Sequence, residues 1–376
     1  MGRRLKVYDR SRSTTDWQCQ RRRYLQYELY GRGVVPGSTA IELFLGTVIH
    51  DGLAAIAHNA TIDEIAVKAN EQILGTLSGD GTEDEVNYAQ EQAALVEGML
   101  RGFYKHAWPK LIATYPKILA IEQEMTYEHD GLTFMSKPDL VLANADESEI
   151  VYVEYKSTSS KKDSWVNSWG YAVQLHSTIR AIESSLGKKV TGVIVQGLYK
   201  GFESYGKQSS PFCYLYFRPA NPPFVKEEVA YEFKAGLKRY PTWEREGGVK
   251  AWVDNMPTHI LADQFPQTPM IFIKEDLIDN FFAQRSAREQ EIDLAMQMIE
   301  MHEGDEEMTA SILNTAFEQK FDQCYPYFGK PCSYRDICHG SITDPLNQGY
   351  TIRESHHALE AEAHKKEDEL PEAVNQ

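Results

Sequence analysis

Residues 137–157, KPDLVLANADESEIVYVEYKS, constrain the fold more than any other stretch, because they read as two apolar strands joined by a short polar turn. Side chains alternate along a strand, so Glu154 and Lys156 share one face at the end of the second strand. A symmetric turn over residues 145–148 sets Asp139 directly opposite Glu154. The segment therefore predicts a hairpin that carries two facing carboxylates and a lysine.

Facing carboxylates in a hairpin need a partner, since like charges on neighbouring strands, with Cβ atoms roughly 4.5–5.5 Å apart, destabilise the pair. A hard divalent cation bound by both groups would remove that repulsion. The sequence thus indicates a metal site at Asp139 and Glu154, with Lys156 adding a positive charge beside it. Ordinary charges on a solvent-facing strand are the alternative.

The rest of the chain predicts an α/β protein. The first third is mostly helical, with one helix expected from Ser13, as its N-cap, to Gly31 and others within residues 40–58 and 88–108. From Lys117 the pattern changes to strands, followed by a helix within residues 169–187 and a further strand. Residues 240–320 are expected to be helical again.

A family resemblance rests on the hairpin and its flanking helices. KPD followed, after fourteen residues, by EYK resembles the signature of the PD-(D/E)XK nuclease superfamily. It is most similar to the RecB-like branch, which takes a His from an upstream helix and a Gln from the helix after the Lys strand. GTVIH offers His50 and YAVQLHST offers Gln174, although Thr178 stands where the branch often has a Tyr. The resemblance implies a restriction-endonuclease-like fold, with a central mixed sheet flanked by helices.

The resemblance also implies roles for these residues in phosphodiester hydrolysis, which needs a metal to activate water, offset charge and orient the attack. The implied catalytic set is Asp139, Glu154, Lys156 and Gln174, and the implied ligands of Mg²⁺ or Mn²⁺ are His50, Asp139 and Glu154. Lys156 would position or deprotonate the water or stabilise the developing charge. Glu122 and Glu124, on the strand before the hairpin, could add a carboxylate, but we expect them to lie on the surface.

Five cysteines, an odd number, are typical of a reducing compartment rather than of a disulfide framework. Cys213 lies in an apolar strand and is expected to be buried. Cys324, Cys332 and Cys338 fall amid Pro and Gly with seven and five residues between them, which is not the paired spacing of a zinc ribbon. Three thiols so close in sequence still indicate a ligand set, and Cys19 is the candidate for a fourth.

One early and three late cysteines resemble the iron–sulfur motif of RecB-like nucleases, which include helicase–nuclease subunits and CRISPR-associated adaptation nucleases. DWQCQRRRYLQYELYG is similar to the opening CPRRY helix, with Gln20 in place of Pro, and KPCSYRDIC resembles the closing loop. The resemblance implies a 4Fe-4S cluster that clasps the two ends of the chain. Zinc at the same thiols and unligated cysteines are the alternatives.

Four regions follow from these assignments. They are a helical N-terminal region at 1–116, a PD-(D/E)XK nuclease core at 117–235, a helical C-terminal region with the cysteines at 236–340, and a mobile acidic tail at 341–376.

Charge is distributed unevenly along a chain whose net charge is -16. Residues 3–32 hold nine Lys and Arg against three Asp and Glu, whereas the C-terminal end is acidic. This asymmetry fits a basic contact surface, and Arg21, Arg22 and Arg23 are the candidates for contacts with DNA phosphates. A solvated helix face is the alternative for these three arginines.

The sequence thus predicts a metal-dependent DNA nuclease that acts on DNA ends or single strands in recombination, repair, phage replication or CRISPR adaptation. A non-catalytic DNA-end-binding subunit and a sequence-specific restriction enzyme are the rival hypotheses. No phosphate-binding loop of a helicase is found, so any unwinding requires a partner. Without a signal peptide or a long apolar run, we expect a cytoplasmic protein with no membrane contact.

Overall fold

The structure, a computed structural model, describes residues 7–37, 41–76, 82–158, 162–169, 172–199, 247–256, 258–272, 274–325, 331–341, 344–355 and 357–368. Cys213 and the predicted boundary at residue 235 lie outside these ranges.

Fourteen α-helices occur in the described ranges. They are α1 Arg10–Gln18, α2 Gln20–Tyr27, α3 Ile41–Ala57, α4 Ile62–Leu74, α5 Glu83–His106, α6 Trp108–Thr114, α7 Lys162–Asn167, α8 Val173–Leu186, α9 Gly248–Asp254, α10 Thr258–Gln264, α11 Glu275–Met301, α12 Glu306–Ala316, α13 Arg335–Cys338 and α14 Ala358–Asp368. Single 3-10 turns form at Leu29–Gly31, Phe321–Cys324 and Pro345–Asn347. None of the helices described is both long enough and apolar enough to cross a membrane.

Nine strands form three sheets in the same ranges. The strands are β1 Val7–Tyr8, β2 Val34–Pro36, β3 Lys117–Ile121, β4 Met125–His129, β5 Leu132–Ser136, β6 Leu140–Ala143, β7 Ile150–Thr158, β8 Gly192–Tyr199 and β9 Tyr350–Ile352. The central sheet has the order β3-β6-β7-β8, with β8 parallel to β7 and the other pairs antiparallel. The smaller sheets are β1-β5-β4 and β2-β9. A mixed α/β fold of this kind agrees with the restriction-endonuclease-like architecture expected.

Both faces of the central sheet are buried, which explains why β7 and β8 are nearly continuous runs of apolar residues. On one face, Val151, Val153 and Tyr155 pack with residues of α3, α4 and α5. On the other face, Ile150 and Tyr152 pack with residues of α8, α11 and the β1-β5-β4 sheet. The end of the β6–β7 hairpin is therefore held between two cores.

The first helix differs from the one expected. Asp9, not Ser13, caps it, since the Asp9 carboxylate accepts a hydrogen bond of 2.8 Å from the backbone N–H of Arg12. At Cys19 the backbone is extended, with φ -163° and ψ 113°, so the helix ends and a second one starts at Gln20. Ser13 is buried instead of capping. The break separates Cys19 from both helices.

The C-terminal segment also differs from the mobile tail expected, at residues 344–355 and 357–368. Strand β9 pairs with β2, and the backbone N–H of Arg353 donates to the carbonyl of Gly33 at 2.9 Å. Helix α14 places the buried carboxylate of Glu360 against the guanidinium of Arg12. The prediction of a mobile tail is therefore wrong for these residues, because strand pairing and a buried ion pair attach them to the N-terminal region.

Candidate active site

Asp139 and Glu154 lie at the open end of the hairpin, as the sequence predicts. Leu140 pairs with Val153 and Ala143 with Ile150, which confirms the predicted register. Asp139 directly precedes β6, and its Oδ2 accepts a hydrogen bond of 2.6 Å from the backbone N–H of Tyr155. The two carboxylates are thereby brought to one cavity at the edge of the sheet.

His50 and Glu122 complete a compact group with Asp139. His50 Nδ1 lies 3.1 Å from Asp139 Oδ1 and 3.6 Å from Glu122 Oε1. One ligand atom from each of the three residues lies within 4.8 Å of the others. Helix α3 supplies His50, and the end of β3 supplies Glu122. Carboxylate oxygens with one imidazole fit a divalent cation such as Mg²⁺ or Mn²⁺.

We expect Glu122 on the surface from the sequence, but the structure places it in the site, beside His50 and Asp139. It directly follows β3 with a left-handed backbone, at φ 46°, and its N–H donates to the carbonyl of Asp139 at 3.2 Å. A non-glycine residue in this conformation is strained, and such strain clusters at functional sites. Strand alternation ends at this residue, so periodicity could not predict where its side chain lies.

Glu154 is held by residues of its own strand. Its side chain is 1% exposed and contacts Lys156 Nζ and the hydroxyl of Tyr152. Thr178 of α8 also bonds the Tyr152 hydroxyl and lines the cavity. A chain of polar groups thus runs from Thr178 through Tyr152 and Glu154 to Lys156. Thr178 therefore affects Glu154 indirectly, through its hydrogen bond to the Tyr152 hydroxyl.

The two carboxylates of the hairpin have opposite pKa shifts. Burial alone would raise the pKa of Asp139, but hydrogen bonds and charge from His50, together with Lys156, hold it below the ordinary value. Burial and the nearby charge of Asp139 raise the pKa of Glu154. Burial opposes protonation of His50, yet Asp139 and Glu122 raise its pKa to about 10. With no metal bound, a protonated His50 therefore neutralises part of the carboxylate charge.

The cavity has a volume of about 420 Å³, and its walls come from distant parts of the chain. Arg10 and Ser11 of α1 line it, as do Lys137 and His357. His357 Nε2 lies 2.7 Å from the carboxylate of Asp9, so the C-terminal segment forms part of the wall. Lys137 Nζ lies 3.0 Å from Glu122 Oε2.

Other predicted site residues have different placements. Gln174 belongs to α8, but its side chain lies outside the described part of the structure. The prediction that Arg23 contacts DNA is wrong, because its side chain is fully buried and pairs with Glu28 and Glu289. Arg21 and Arg22 are partly exposed. Arg21 donates to the carbonyl of Phe317 at 3.0 Å, which links α2 to the end of α12.

The four predicted cysteine ligands line a second cavity, of about 250 Å³. Cys19 lies at the break between α1 and α2, and Cys324, Cys332 and Cys338 come from the C-terminal loops. The backbone N–H of Cys332 donates to the carbonyl of Cys324 at 2.7 Å. Burial, with neighbouring thiols, raises the pKa of Cys324, and burial also raises the pKa of Cys338.

A mixed sheet that brings two carboxylates, a lysine and an imidazole into one cavity is the arrangement of a metal-dependent hydrolase. The family model of the PD-(D/E)XK nuclease superfamily matches residues 11–339. This chain therefore belongs to the PD-(D/E)XK nuclease superfamily. Membership implies a metal-dependent nuclease that binds nucleic acid. No curated protein matches the chain.

Proposed function

We propose that this protein is a Mg²⁺- or Mn²⁺-dependent deoxyribonuclease of the RecB-like branch, acting at DNA ends or on single strands. The observation that carries the proposal is the convergence of His50, Asp139, Glu154 and Lys156 in one cavity. These residues come from a helix and two strands and occur in the order that the branch uses.

The metal site is assigned to Asp139, Glu122 and His50, with the carboxylate of Glu154 beside them. A divalent cation bound there would lower the pKa of water and offset the negative charge that develops on the phosphate. Asp139 is oriented by the N–H of Tyr155, which leaves Oδ1 facing His50. His50 must release its proton before its nitrogen can serve as a ligand.

Lys156 is assigned to the reacting phosphate. It lies against Glu154 and is about a quarter exposed in the same cavity, so its ammonium can turn toward a bound phosphodiester. There it would position the attacking water or stabilise the developing charge. Arg10 and Lys137 line the cavity as well and would contact the neighbouring phosphates.

The size of the cavity supports a flexible single strand as the substrate. About 420 Å³ is the size of a site for one small-molecule-sized group. One nucleotide of an unpaired strand can enter such a cavity, whereas a rigid duplex would have to stop at its rim. We therefore favour single-stranded DNA or frayed ends, and exonucleolytic or end-processing cleavage.

A 4Fe-4S cluster at Cys19, Cys324, Cys332 and Cys338 is the second part of the proposal. Its support is that the four thiols, which the resemblance assigns to a cluster, line one cavity. Helix α1 has nine residues and is about 13 Å long, with Arg10 and Ser11 at the nuclease cavity and Gln18 at the thiol cavity. A cluster would thus fix the end of a helix whose start lines the active site.

The biological pathway and the partner protein are proposed from the family resemblance alone. Recombination, repair, phage replication and CRISPR adaptation remain the candidate pathways, and a helicase remains the candidate partner.

A cleavage assay with anaerobically purified protein tests the proposed nuclease activity. The protein is incubated in Mn²⁺ or Mg²⁺ with end-labelled linear DNA and with circular DNA, each single-stranded and double-stranded. We expect metal-dependent products from the linear single strand first. Tight DNA binding without products in either metal would favour a non-catalytic subunit, and discrete fragments from a defined duplex would favour a restriction enzyme.

Iron and zinc analysis of the same protein tests the cluster. We expect about four iron atoms per chain, lost together with the visible absorption when Cys338 is replaced by Ser. The matched control is Cys213→Ser, which lies outside the four-thiol set and should keep its iron. One zinc per chain would show that the cluster assignment is wrong.

A further inference from the structure

Helix α11 has an exposed row of uncharged residues that no part of the proposed nuclease uses. Its buried side includes Phe281, Phe282, Ile292 and Ala295. On the opposite side, exposed residues recur at alternating intervals of three and four, and we call them the outer seam: Asn280, Ala283, Ala287, Gln290, Leu294, Gln297 and Met301. This alternation over three heptads is the spacing of a helix–helix interface.

The outer seam is unusual for the solvent side of a surface helix, which is normally polar and charged. Leu294 is 59% exposed and Met301 is 76% exposed, and Met298 beside them is 37% exposed. From Asn280 to Met301 the seam runs for about 33 Å. Large apolar side chains at one end and alanines at the other give a surface into which another helix can interdigitate.

Acidic residues cluster past the C-terminal end of the seam. No Lys or Arg occurs between Arg288 and Lys320, a stretch that holds nine Asp and Glu. The exposed acidic residues past the end of the seam are Glu303, Asp305, Glu306 and Glu307. At the other end, Glu275 pairs with Arg180 and Lys189, which balances the charge there. The exposed Leu294 and Met301, beside this acidic cluster, are complementary to an apolar helix face with a basic flank.

The acidic cluster also argues against a parallel second copy of this chain as the occupant. A parallel copy would bring residues 303–307 of both chains together, and like charges so placed repel. A basic helix from another protein can place Lys and Arg beside these carboxylates in either direction, which makes it the better partner.

We propose that the outer seam of α11 is a docking site for an amphipathic helix of a partner protein, whose apolar face is flanked by Lys and Arg. Residues of the partner helix would pack between Leu294, Met298 and Met301, and its basic flanks would face the acidic residues that follow α11. The flexible methionine side chains adapt to the partner's shape. This docking site does not depend on the nuclease assignment.

Three designed peptides of about six turns test the proposal with the full-length protein. The first has a Leu and Ile seam flanked by Lys, the second has the same seam flanked by Glu, and the third has the composition of the first in an order without a seam. Binding is measured by fluorescence anisotropy at low and at physiological salt. We expect the first peptide to bind at least about tenfold more tightly than either of the others, with affinity weakened by salt.

Variants decide whether the seam is the site. The double variant Leu294→Ser/Met298→Ser should weaken binding of the first peptide at least about tenfold and leave DNA cleavage unchanged. Leu74→Ser on α4, which is also an exposed leucine, is the matched control and should bind normally. Equal binding of the seamless peptide, or normal binding by the double variant, would overturn the proposal.

Analytical ultracentrifugation of the protein without peptide tests whether the seam binds a second copy of this chain instead. A monomer is expected for the wild type and for the double variant. A wild-type dimer that becomes monomeric in Leu294→Ser/Met298→Ser would show that the seam binds a second copy, and the proposal would be wrong.

Discussion

The backbone N–H of Tyr155 donates a hydrogen bond of 2.6 Å to Oδ2 of Asp139. This bond joins the strand that carries Glu154 to the carboxylate opposite it and fixes which oxygen faces His50. The metal site is therefore oriented by the register of the hairpin, and a change in register would disrupt both carboxylates together.

Asp139→Asn should remove the metal site and largely keep the fold. The amide can still accept from Tyr155 but loses the negative charge that the metal requires. Since even outer partners of metal ligands are worth about 10–100-fold in affinity, we expect Mn²⁺ to bind at least about tenfold more weakly. Titration calorimetry measures this, with Asp146→Asn in the exposed turn of the hairpin as the control. Equal Mn²⁺ affinity in Asp139→Asn and wild type would contradict the assignment.

Glu122→Gln should also weaken Mn²⁺ binding at least about tenfold, because Glu122 supplies one of the three grouped ligand atoms. Glu128→Gln, an exposed glutamate on β4, is the control and should bind Mn²⁺ like the wild type. Calorimetry under the same buffer conditions compares the two. If both variants bind Mn²⁺ equally well, Glu122 is only a partner of His50 and Lys137.

The affinity for Mn²⁺ should increase with pH. Asp139 and Glu122 raise the pKa of His50 to about 10 against the effect of burial, so the imidazole is protonated at neutral pH when no metal is bound. A metal must displace that proton, and each pH unit below 10 makes this displacement less favourable. Calorimetry in buffers of different ionisation enthalpy should detect about one proton released per metal. No proton release at neutral pH would exclude His50 as a ligand.

The ion pair of Asp9 and His357 should stabilise the C-terminal segment most at lower pH. Burial opposes protonation of His357, but Asp9 and Glu124 raise its pKa. A raised folded-state pKa contributes stability that is fully present below the unfolded value of about 6.5 and is lost as pH rises through the folded value. The difference in melting temperature between wild type and His357→Gln should thus be largest near pH 6 and smaller at higher pH, with the wild type more stable. A difference independent of pH would indicate a purely steric role.

The parts of the site that the sequence predicts are those set by local rules. Strand alternation and a short turn placed Asp139 opposite Glu154 and put Lys156 beside it, because register leaves few choices once both strands are apolar. Glu122 could not be predicted in the same way. Its left-handed backbone is imposed by the approach of β3 to Asp139, which is a tertiary contact.

Charge was the least informative feature of the sequence. Arg23 is in the basic N-terminal segment, yet it is fully buried between Glu28 and Glu289. Glu360 is in the acidic C-terminal end, yet it is buried against Arg12. The pairs Arg23–Glu289 and Arg12–Glu360 join residues 266 and 348 positions apart in sequence, and composition cannot distinguish a buried charge from a solvated one.

Cleavage of a short single-stranded oligonucleotide in Mn²⁺, by wild type and by Lys156→Met, tests the central claim most directly. Lys156 lies outside the proposed metal ligands, so the variant should still bind Mn²⁺ while its ammonium is lost. We predict metal-dependent cleavage by the wild type and a loss of at least about 100-fold in the variant, since removing one charge-stabilising donor costs about that much. Equal cleavage by both proteins would contradict the assignment of this cavity as the active site.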